Sequence, residues 1–136
     1  MKLIMRADDF GYTEEFNRGT IEAVRNGIIT TVDLMLDTPG TLDAMERIKE
    51  FPWVSVGWHG GHCWGRPVAD PDELLKEEIV ITAWHPGYLD DVIFNMFPKN
   101  HFHTARVIDI AAMCSPALKQ WVVDKQVELI NMRDAL

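Results

Sequence analysis

The chain opens on an apolar run, Lys2-Leu3-Ile4-Met5, which gives way to the paired carboxylates Asp8-Asp9 and a turn at Gly11. A short apolar run closed by a turn signal predicts a buried strand. Thr13 is placed to cap a helix over residues 13–25, with Phe16, Thr20, Ile21 and Val24 near one face and Asn26-Gly27 as a left-handed stop. Residues 28–35, apolar and β-branched, read as a second strand. Thr38-Pro39-Gly40 breaks the chain, and residues 42–51 carry Leu42, Met45 and Ile48 at helical spacing before Pro52 ends the pattern. Residues 53–58 read as the third strand.

Further on, residues 60–71 form a loop rich in Gly, Pro and Trp, and Asp70-Pro71-Asp72-Glu73 starts a short helix. Residues 79–84 predict a fourth strand that ends at His85-Pro86-Gly87. Residues 104–113 have a helical pattern, Ser115-Pro116 opens another helix as cap and first-turn proline, and residues 127–132 suit a last strand. Apolar strands alternating with helices across short turns predict an α/β protein with a parallel sheet, the start of a barrel or of a doubly wound sheet.

With 136 residues, 47% of them hydrophobic, the chain is read as one domain. No apolar run reaches the roughly 20 residues of a spanning helix, and Arg6 and Asp8 interrupt the first run too early for a signal peptide, so no membrane partner and a cytoplasmic location are expected. A net charge of -8 would repel a phosphate backbone, which argues against nucleic acid. Cys63 and Cys114 have no metal-binding spacing and are expected to be free thiols.

Composition says little about chemistry; the strand ends say more. Asp8-Asp9 follow the first strand, His59 the third and His85 the fourth, and parallel strands bring their carboxyl ends to one face. A mixed Asp/His set suits zinc, magnesium or manganese, with an adjacent carboxylate as general base. Each residue also has a plainer reading. The Asp pair could hydrogen-bond a turn, His59 could be a core or loop histidine, and His85 could shape the turn at Pro86-Gly87. His62 reads as a solvated loop residue within reach of a metal, and His101 and His103 as surface or lid residues. Cys63 has only His62 beside it and is a poor nucleophile.

These motifs converge on a family. Arg6-Ala7-Asp8-Asp9-Phe10-Gly11, Asn17-Arg18-Gly19, Ile21-Glu22-Ala23, Asn26-Gly27-Ile28 and Thr30-Thr31 resemble the amino-terminal signature of the YdjC-like (ChbG-type) carbohydrate deacetylases. The resemblance continues in Val56-Gly57-Trp58-His59, Gly65-Arg66-Pro67-Val68, His85-Pro86-Gly87-Tyr88 with Asp90, and Arg106 with Ser115-Pro116. It implies a parallel (β/α) barrel of the glycoside hydrolase/deacetylase type and metal-dependent removal of N-acetyl groups from chito-oligosaccharides or related amino sugars. Carried over residue by residue, it implies Asp9 and His59 as ligands of a divalent ion, magnesium or zinc. It also implies Asp8 as base, His85 as acid or transition-state stabiliser, and Arg106 as the group that orients a carboxylate.

One departure stands out. Members of the family carry a histidine-rich strand in a long middle portion, and nothing between Arg66 and Trp84 resembles it. A full barrel takes about 250 residues, so the barrel is expected to be incomplete, with a central segment missing near residues 76–79. A homodimer is the other means of covering the sheet edges. Two further functions compete with deacetylation. Hydrolysis of a phosphorylated disaccharide would use Arg66 and Arg106 as a phosphate clamp, and a non-catalytic carbohydrate-binding homologue would use Trp58, Trp64 and Trp84 as stacking faces.

Overall fold

The computed structural model describes residues 2–36, 38–59, 79–92 and 102–135. Within them the elements run β1 (Lys2–Phe10), α1 (Glu14–Asn26), β2 (Thr31–Leu34), α2 (Thr41–Arg47) with a 3-10 turn (Ile48–Glu50), β3 (Ser55–Trp58), β4 (Ile79–Trp84), α3 (Phe102–Cys114), α4 (Pro116–Asp124), β5 (Glu128–Leu129) and a closing 3-10 turn (Met132–Ala135). Every strand pair is parallel, in the order β3-β2-β1-β4, as the alternating pattern predicts. The short β5 also pairs with β1, at Lys2 and Leu3, on the edge that β2 occupies higher up. Thr30 ties this junction together, its buried hydroxyl donating to the Ile130 carbonyl at 2.7 Å.

Period-2 alternation explains the two faces of β1. Leu3, Met5 and Ala7 enter a core with Ile21, Ala23 and Val24 of α1, Met113 of α3 and Val122 of α4. Arg6 and Asp8 therefore point to the opposite face. Thr13 caps α1 as expected, its hydroxyl accepting from Phe16 N at 3.1 Å, and Ser115 caps α4 by accepting from Ala117 N.

Three local expectations are corrected. Gly27 ends α1 at φ -110, not in the left-handed region; a Cβ there would lie 2.3 Å from the Ala23 carbonyl oxygen, so space and not handedness requires glycine. Leu42 and Met45 are exposed, because α2 has only seven residues and approaches the core through Ala44. The first strand does not stop before the carboxylates but runs through them to Phe10. Among the described residues no helix is long and apolar enough to cross a membrane. The loop at 60–71, the short helix after it and the join near 76–79 lie outside the described residues.

Candidate active site

The decisive local feature is an irregularity in β1. Ala7 pairs with Val32 and Phe10 with Leu34, so β1 spends three steps where β2 spends two, a β-bulge at Asp8-Asp9. Asp9 takes φ 60, a left-handed conformation that Asp tolerates better than most residues. In a regular strand the two carboxylates would face opposite sides of the sheet. The bulge returns Asp9 to the side of Asp8, and both meet one imidazole: His59 Nε2 lies 3.7 Å from Asp8 Oδ2 and 3.6 Å from Asp9 Oδ1.

His59 leaves the end of β3, its backbone N–H donating to the Leu34 carbonyl at 3.0 Å. His85 leaves the end of β4, with Nε2 3.9 Å from Asp8 Oδ2 and its side chain 38% exposed, so it opens onto the same cleft. Arg106 reaches in from α3, donates from Nη1 to Asp9 Oδ2 at 3.0 Å and stacks 4.9 Å from the Phe16 ring centroid. Asp8, Asp9, His59, His85 and Arg106, brought in from separate elements, thus meet at the carboxyl end of the sheet.

Several residues that sequence reasoning gave no role support this cluster. Asn17, fully buried on α1, accepts from Gly11 N at 2.7 Å and donates to the Gly40 carbonyl, fixing the turn that follows the bulge. Asp109 accepts from His85 N at 3.0 Å. Burial pushes the Asp109 carboxyl up, and the hydrogen bond from His85 only partly offsets it. Asp33 of β2 lies 3.4 Å from Arg6 Nε, and burial raises its pKa likewise, against the pull of Arg6. Tyr12, buried beside Phe16, is raised chiefly by burial, with Arg106 opposing. Asp33 and Asp109 share a sequence signal, an acid inside an otherwise largely apolar element.

The spacing of donors suits a divalent cation. At 3.6 and 3.7 Å the imidazole is too far from either carboxylate for a hydrogen bond, whereas two donors sharing an ion at about 2.0–2.2 Å each stand roughly 3.0–3.6 Å apart. Asp9 keeps Oδ1 toward His59 while Oδ2 takes the Arg106 bond. Three carboxylates, Asp8, Asp9 and Asp33, surround the two guanidiniums of Arg6 and Arg106, which leaves negative charge to attract a cation. Among the described residues no three His, Cys, Asp or Glu side chains are grouped to hold a metal. The fit therefore extends to two ligands.

Other expected residues fall elsewhere. His62, Cys63, Trp64, Arg66 and His101 lie outside the described residues. His103 stands in the first turn of α3, not in a loop. Cys114 is a free thiol. Trp84 is half-buried, packs against the core and donates from Nε1 to Thr82 Oγ1.

Comparison with known proteins identifies the family. The model of the YdjC-like protein family matches residues 2–78. The chain belongs to this family. Curated relatives include proteins named carbohydrate deacetylase from Geobacillus stearothermophilus, 40% identical over 74 residues (54% of this chain, 30% of that protein), and from Brevibacillus brevis, 44% identical over 77 residues (57% and 31%). The chain thus spans about a third of the length of the curated relatives it matches. Among solved structures, that of "a putative cellobiose-phosphate cleavage protein" from Enterococcus faecalis V583 superposes with a TM-score of 0.82 over 98% of each chain at 15% identity. At that identity the likeness establishes the α/β fold. The YdjC-like signature motifs from Arg6 to His59 all lie within the matched residues.

Proposed function

We propose that the cleft is the hydrolytic centre of a carbohydrate deacetylase that removes N-acetyl groups from chito-oligosaccharides or related amino sugars. The observation that carries this reading is the convergence of Asp8, Asp9, His59 and His85 from three strand ends onto one point. Amide hydrolysis needs an activated water, stabilisation of the developing oxyanion and a proton for the leaving amine.

Asp9 and His59 would hold a divalent ion, magnesium or zinc, with the remaining ligand supplied from outside the described residues. Such an ion, when bound, polarises the amide carbonyl and lowers the pKa of water. Asp8 is the base: Arg6 donates to both of its oxygens, and its Oδ2 also faces the imidazoles of His59 and His85. His85, more open than the rest, gives a proton to the leaving amine nitrogen. Asp109 fixes the backbone from which His85 projects. Arg106 orients Asp9 and is thereby committed, which disfavours its use as a phosphate clamp.

Acetate release from N-acetylated chito-oligosaccharides, measured after chelation and again after adding magnesium or zinc, tests the proposal. Release should depend on the ion and fall at least about 100-fold in Asp8→Asn, the usual scale for loss of a positioned acid or base. Changing His85 to Ala should lower turnover far more than ion affinity. No acetate from protein loaded with either ion would end the reading.

A further inference from the structure

We propose that Asp33 is a positioning residue of this site, acting through Arg6 to hold the Asp8 carboxylate opposite His59 and His85. The inference rests on the deacetylase reading for its catalytic consequence, though not for its geometry. Asp33 sits on β2, with its side chain 15% exposed, beside the bulge that displaces Asp9. Arg6, two residues before Asp8 on the same face of β1, grips that carboxylate with two prongs: Nε donates to Oδ1 at 2.7 Å and Nη2 to Oδ2 at 3.1 Å. The same Nε lies 3.4 Å from Asp33 Oδ2. One guanidinium fork is therefore shared between the carboxylate that faces the histidines and a second one behind it.

Room for this second carboxylate is made by the neighbouring strand. Asp33 pairs with Gly57, where a Cβ would lie 2.3 Å from Asp33 Oδ1. Any other residue at 57 would push Asp33 away from Arg6. A carboxylate buried against its own desolvation needs a compensating partner, and burial indeed raises the pKa of Asp33 while Arg6 draws it back. The planar guanidinium loses orientational freedom when a second anion fixes its edge. The bidentate grip on Asp8 is then presented at one angle.

Three variants test this: Asp33→Asn, Asp33→Ala and Gly57→Ala. The first readout is exchange of the Arg6 Nε–H with water, followed by nitrogen-edited NMR on the whole chain; the second is kcat and KM for acetate release. Asp33→Ala and Gly57→Ala should each speed Nε–H exchange and lower kcat roughly 10-fold, the scale on which partners behind a functional residue act, with KM little changed. Because both act by one route, the double variant should be no slower than either single one. Asp33→Asn keeps an acceptor and the shape, so it folds even if the alanine variant does not, and it should recover most of kcat. Unchanged Nε–H exchange in Gly57→Ala, or additive losses in the double variant, would overturn the assignment. Wild-type protein that releases no acetate would defeat the deacetylase reading alone, and the exchange measurement would still decide the role of Asp33.

Discussion

Arg106 shows what a single buried charge demands of its surroundings. Its guanidinium meets Asp9 on one side and the Phe16 ring on the other, both within the packed part of the cleft. Removing one member of a buried pair strands the other, which typically costs about 3–5 kcal/mol. Arg106→Met should therefore destabilise the protein on that scale in urea unfolding, and adding Asp9→Asn should restore part of the loss. A double variant as unstable as the single one would show that packing over Phe16, not the ion pair, is what Arg106 contributes. Asp109 makes a different prediction, in pH. Its folded pKa is raised from 3.8, so the native state binds the proton more tightly than the unfolded chain does. Stability from this group is then greatest at low pH and is lost as pH rises from about 3.8 through the raised value. Asp109→Asn retains an acceptor for His85 N, so it should be more stable than wild type at neutral pH and lose that advantage toward pH 3.8. Denaturant melts at both pH values measure the crossover, and a constant difference would place the burial effect elsewhere.

Between elements, close contact does what no single side chain can. Gly19 of α1 packs against the loop after β4: a Cβ there would lie 2.6 Å from Tyr88 N and 2.7 Å from Gly87 Cα, backbone atoms that cannot swing aside. Thr20, one position on, donates to the Pro86 carbonyl at 2.7 Å, so α1 grips the segment that carries His85. Helix propensity alone favours Ala over Gly by about 1 kcal/mol, whereas overpacking costs about 1–3 kcal/mol. Gly19→Ala should accordingly be destabilising, with turnover reduced through the displaced His85; stabilisation in thermal melts would mean that α1 and the loop are not tightly apposed. This scale also separates what could be read in the sequence from what could not. Thr13 and Ser115 caps, the bounds of β4 and the meeting of strand ends were legible because they follow from local signals and from parallel geometry. The bulge was not, since it exists only in the register of β1 against β2. Leu42 and Met45 misled because their spacing suits a core-facing helix, while the helix that forms is too short to turn both inward. Asp33 and Asp109 went unassigned because an isolated acid within an element ordinarily marks a solvated face.

At the scale of the molecule, the described strands leave two sheet edges that the rest of the protein must satisfy. Among the described strands, β3 and β4 stand at the two ends of the order, and bare parallel edges invite pairing with other chains. Val56 and Trp58, alternating on the face of β3 away from His59, are 49% and 73% exposed. Both edge and face are what a further strand-helix unit of a barrel would cover. The proposed ion site is likewise incomplete: among the described residues it offers two ligands, Asp9 and His59, and lacks a third. We propose that the complete protein carries additional units between β3 and β4, joined near residues 76–79, and that one of them supplies that ligand. Intact mass of the protein purified from its source should then lie well above 15.6 kDa. A mass of 15.6 kDa would instead point to a second copy over β3, visible as a dimer by sedimentation and dissociated by Trp58→Lys. In that case the two-ligand site should bind zinc weakly in the monomeric variant and more tightly in the dimer if the partner completes it. Equal affinity in both forms would leave Asp9 and His59 without a protein-supplied third ligand and remove the structural basis for a catalytic metal.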